Sequence, residues 1–79
     1  MILNEFLKIN TNRDIEMMTG CGYIFLKSDM INKLINGELK VLIANAGCYG
    51  FNMNIEYDDI KNEEITRIKL IEEKYYLLV

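Results

Sequence analysis

At 79 residues, with 51% hydrophobic and 27% charged side chains, the chain is read as one globular domain, residues 1–79, and not as a disordered segment. A formal charge of −3 and nine scattered Lys and Arg disfavour direct binding to nucleic acid or an anionic membrane, since phosphate recognition needs clustered cations. The chain has no histidine, which excludes a Cys-His or Ser-His-Asp nucleophile, and no apolar run approaches the ~20 residues of a membrane helix.

Ile2, Leu3, Phe6 and Leu7 recur at helical spacing and predict a short amphipathic helix over 2–9. A turn at Asn10–Arg13 and a short strand over 14–19 follow. Tyr23-Ile-Phe-Leu-Lys27 is aromatic and β-favouring, hence a second strand. Ser28 is a favourable N-cap, Asp29 suits the positive end of a helix dipole, and Met30, Ile31, Leu34 and Ile35 form one apolar stripe. The second helix is therefore placed at 29–36, with Gly37 as its left-handed stop.

Leu39-Lys-Val-Leu-Ile-Ala44 reads as a strand buried on both faces. In Phe51–Asp58 the alternation predicts Phe51, Met53, Ile55 and Tyr57 facing the core and Asn52, Asn54, Glu56 and Asp58 facing water. Residues 65–71 and 74–79 are two further strands, joined as a hairpin at Glu72-Glu73-Lys74. The expected fold class is α+β: a mainly antiparallel sheet of about five or six strands with two short helices on one face.

Both cysteines lie in glycine-rich stretches, Thr19-Gly-Cys-Gly-Tyr23 and Ala46-Gly-Cys-Tyr-Gly50. With no histidine and only two thiols, a monomer cannot complete a four-ligand zinc site, and neither cysteine has an activating base. The glycines lack the Lys-Ser/Thr of a phosphate loop. A Cys21–Cys48 disulfide would need an oxidising compartment. The expectation is two tight turns whose small cysteines fill corners, and no metal or cofactor.

Glu56-Tyr-Asp-Asp-Ile-Lys-Asn-Glu-Glu64 sets five carboxylates against one lysine. Its order does not match an EF-hand loop. A solvated connection between strands and a docking surface for a basic partner are both open readings, the second resting on Glu56, Asp58, Asp59, Glu63 and Glu64. Tyr49, Tyr57, Tyr75 and Tyr76 are strand residues that can also serve interfaces, and Tyr49 and Tyr76 join the candidate partner-binding set.

The opening Met1-Ile-Leu-Asn-Glu-Phe-Leu-Lys and the closing Asn62–Val79 together resemble small proteins of bacterial phages and mobile elements, which often begin with a short helix and end in a β-hairpin. That resemblance implies a non-enzymatic inhibitor of a host defence or nucleic-acid-handling complex, of the anti-CRISPR type. The implied partner is a protein, such as a host nucleoprotein effector, and the implied location is the host cytoplasm. It carries no functional residue over. The alternative is a self-associating structural or regulatory module, with a homodimer as its form. Met1-Ile-Leu-Asn-Glu has no signal-peptide pattern, consistent with that cytoplasmic expectation.

Overall fold

The computed structural model describes residues 1–10, 12–46 and 50–79. Leu3, Phe6 and Leu7 form the buried stripe of α1 (Leu3–Ile9). β1 (Ile15–Thr19) and β2 (Gly22–Leu26) follow as a hairpin, then α2 (Ser28–Ile35), β3 (Val41–Asn45) and β4 (Asn52–Glu56). A one-turn helix, α3 (Tyr57–Ile60), precedes the closing hairpin of β5 (Arg67–Ile71) and β6 (Lys74–Leu78). The six strands make one sheet in the order β4-β3-β2-β1-β6-β5. β1 runs parallel to β6, and the other pairs are antiparallel. The α+β class, the strand number and the two main helices thus agree with the sequence reading.

Every core side chain lies on one face of the sheet. Ile15, Met17, Ile24, Leu26, Leu42, Ala44, Ile55 and Leu77 meet Leu3, Phe6 and Leu7 of α1 and Ile31 and Leu34 of α2. Phe6 sets its ring edge-on to Tyr75, with centroids 5.1 Å apart. Burial of these apolar side chains, worth roughly 1.5–3 kcal/mol each, is the main force holding so small a domain together. The N-terminus is fastened to the far end of the chain: Leu3 N–H donates to the Glu63 carbonyl and Ile65 N–H to the Met1 carbonyl.

Four expectations about the helices and strands need correction. Ser28 does not cap α2 with its side chain. It is the first helical residue, and its N–H donates to the Asp14 carboxylate at 2.9 Å, so the cap comes from the strand-entry residue fourteen positions earlier. β3 is buried on one face only, because Val41 and Ile43 point away from the helices. In β4 the alternation names the correct face, since Met53 and Ile55 pair with the buried Ala44 and Leu42. The helices do not reach the end of that edge strand, however, and Phe51 and Met53 remain 52% and 39% exposed. Tyr57 is buried as expected, but in α3 and not in a strand.

Gly37 ends α2 at φ +78°, as its sequence position implies. Glu72 and Glu73 occupy the β5–β6 turn with φ of 51° and 66°, the paired left-handed geometry of a two-residue hairpin turn. Cys21 sits in the β1–β2 turn and is exposed, so it fills no corner. Cys48, with the disulfide and corner readings attached to it, lies outside the described residues.

Candidate interaction surface

Pleating sends alternate residues of each strand to opposite faces, and the face away from the helices is covered by no described element. Reading across the sheet, this open face carries Asn52, Asn54 and Glu56 of β4, then Val41 and Ile43 of β3, then Tyr23 and Phe25 of β2. It continues with Glu16 and Met18 of β1, Lys74, Tyr76 and Leu78 of β6, and Arg67, Lys69 and Ile71 of β5. Ile43 is 63% exposed and Phe25 46%; Met18, Tyr23, Val41 and Leu78 are also exposed. A shallow groove of about 250 Å³ crosses β1 and β6, lined by Met18, Tyr23, Tyr76 and Leu78, with Arg67 and Lys69 on its β5 side.

One cation organises the middle of this face. Lys74 Nζ lies 3.1 Å from Glu16 Oε2, 4.5 Å from the centroid of the Phe25 ring and 5.2 Å from that of Tyr76. The hydrogen bond to Glu16 raises the Lys74 pKa above its ordinary value. Glu16 and Lys74 therefore neutralise one another at the centre. The cationic margin at Arg67 and Lys69 and the Glu56 margin stand at opposite edges of the sheet.

The acidic segment forms a separate corner. Asp58 and Asp59 are exposed on α3, and Glu63 and Glu64 are exposed where the chain meets the start of α1. Two of these carboxylates already have partners: Asp58 contacts Lys61 at 3.1 Å and Glu64 the N-terminal amine at 3.1 Å. Beneath the corner, buried Tyr57 donates its hydroxyl to Asn4 Oδ1 at 2.9 Å. Burial, and secondarily the charge of Asp58, push the Tyr57 pKa up to about 12.

Asp58 and Asp59 thus share one corner, with Glu63 and Glu64 following on the same connection, while Glu56 stands beside it at the end of β4, on the margin of the open face. Tyr76 does not join them. It is on β6, four strands from Glu56, a separation on the order of 19 Å. Tyr49 lies outside the described residues. The open face itself escaped the sequence reading, although its signal was present: in Tyr23-Ile-Phe-Leu and Val41-Leu-Ile-Ala both alternating positions are apolar. That pattern fits an uncovered apolar face as well as a doubly buried strand.

Among the described residues no group of three or more acidic or thiol side chains is gathered as a metal site, and no helix is long and apolar enough to cross a membrane. Comparison with protein-family models, curated proteins and solved structures finds no match.

Proposed function

We propose that this protein acts by stoichiometric binding to a protein partner, without catalysis, and that the open face of the sheet is its working surface. The observation that carries this reading is the exposure of Met18, Tyr23, Phe25, Val41, Ile43 and Leu78 on contiguous strands of one face that no described element covers. Contiguous apolar area of this kind on a small domain marks an interaction site. Tyrosines contribute rigid area with a polar tip, and the flanking Arg67 and Lys69 give the rim polarity that interfaces carry.

The resemblance of the chain ends supports placing that binding among phage-type inhibitors of host defence or nucleic-acid-handling complexes, of the anti-CRISPR kind. The corner at Asp58, Asp59 and Glu63, with Glu56 beside it, suits a basic surface on such a complex, where opposite charge speeds encounter and fixes orientation.

The test is a double variant, Met18→Lys with Ile43→Lys. Both side chains are already substantially exposed, so thermal unfolding should change little. Co-purification of the partner from host cells should be lost. Retention of the partner at the wild-type level by a folded double variant would refute the assignment of this face.

A further inference from the structure

We infer that the resting occupant of the open face is a second copy of this chain, the two sheets stacked face to face about a two-fold axis parallel to the strands. The inference rests on the reading of that face as a protein-binding surface. A two-fold interface must be self-complementary, and the strand order makes this one so. Rotation about an axis between β2 and β1 lays β2 on β1 of the other copy, β3 on β6, and β4 on β5. Ile43 then lies over Tyr76 and Val41 over Lys74, while Phe25 lies over Glu16 and Tyr23 over Met18.

Charge selects the same axis. Arg67 and Lys69 of each copy fall over Asn52 and Asn54 of the other, and Glu56 falls over Ile71, which sets its carboxylate diagonally beside Lys69, twice per dimer. A two-fold axis across the strands would instead set β5 on β5 and bring Arg67 and Lys69 against themselves. Like charges brought together in an interface cost several kcal/mol, which disfavours that arrangement.

The area is of the right order. Six strands ~4.8 Å apart and ~17 Å long span roughly 500 Å² in projection, and more as accessible surface, against about 800 Å² per partner in a standard interface. Sheet-on-sheet packing at an angle of about 30° is the common arrangement for such faces. Apart from Lys74, which is paired with Glu16, the cations of this face stand at one margin, and on a chain of charge −3 that fits a nucleic-acid strand less well. A dimer built this way competes with partner capture for one surface.

The experiment is sedimentation equilibrium across the micromolar range on four proteins: wild type, Glu56→Lys, the pair R67E/K69E, and Met18→Lys with Ile43→Lys. Wild type should dimerise. The apolar-face double variant should be monomeric. Each charge variant alone should dissociate about tenfold more readily, and an equimolar mixture of Glu56→Lys with R67E/K69E should restore the dimer, because opposite charges then lie side by side at both margins.

A monomeric wild type overturns the inference. So does a dimer untouched by Met18→Lys with Ile43→Lys, which would mean edge-to-edge strand pairing. So does a monomer that binds a single-stranded oligonucleotide with steep salt dependence. A monomeric wild type whose face variant still loses the co-purifying partner overturns the dimer alone, whereas a face variant that keeps that partner overturns the broader reading of the surface.

Discussion

Tyr57 joins the acidic corner to the core, and its hydroxyl donates to Asn4 Oδ1. Tyr57→Phe should cost about 1 kcal/mol at neutral pH, the usual net worth of such a bond. The folded phenol titrates near 12, against an ordinary value of 10.0. The unfolded chain therefore loses this proton first, and the stability from the neutral phenol is intact below pH 10 and drains away as pH rises toward 12. Urea unfolding across that window should show a shallower alkaline loss for Tyr57→Phe than for wild type; identical slopes would place the phenol in water. Gly22 is the second decisive single position. It has φ +130°, and a Cβ there would run into the Asn45 backbone carbonyl, where β2 meets β3, with the carbonyl carbon only 2.9 Å away. Gly22→Ala should destabilise by several kcal/mol, while Gly20→Ala, with nothing within 4 Å, should be mild. Comparable melting temperatures for the two variants would contradict the β2–β3 register.

Asp14 shows why an element can be legible while its fastening is not. The stripe Met30, Ile31, Leu34 and Ile35 is enough to predict α2, because the period is local. The cap is not local: Asp14 reaches Ser28 N–H only because β1 and β2 pair and bring strand entry beside helix entry. Asp14→Ala should lower stability by about 1 kcal/mol, with the loss seen first as fraying at Ser28–Met30 in hydrogen exchange, whereas Ser28→Ala should change little. A larger loss for Ser28→Ala would restore the hydroxyl as the cap. The same division runs through the sheet. The strands are readable from their β-favouring runs, the Met53/Ile55 parity of β4 from its alternation, and the β5–β6 hairpin from its two flanking runs, whereas the single buried face of β3 is not. Coverage was not readable, because whether α1 and α2 extend over Met53 or stop short is a matter of tertiary placement. The parallel pairing of β1 with β6 likewise depends on contacts between the chain's two ends, and it is this pairing that brings Tyr76 into the open face and away from the acidic corner.

The molecule carries two surfaces of different character, and charge reversal can separate them. Asp58, Asp59, Glu63 and Glu64 lie on α3 and the connection after it, outside the strands of the open face. Each change to Lys adds two charges, so all four move the chain from −3 to +5. The protein should still fold. The two ion pairs lost, Asp58–Lys61 and Glu64 with the N-terminal amine, are exposed and worth about 0–1 kcal/mol each. Self-association through the open face should persist, since Glu56, Arg67 and Lys69 are unchanged. Association with a basic partner should slow markedly at low salt, and the gap from wild type should close as ionic strength shortens the screening length from ~30 Å to ~8 Å. Stopped-flow binding at the two salt levels, alongside sedimentation of the same samples, reads both quantities together. If the reversed protein binds as fast as wild type with the same salt dependence, the corner is a solvated connection and the open face alone carries recognition. If instead its dimer dissociates, the acidic corner belongs to the self-association surface, and the separation drawn from the strand order is wrong.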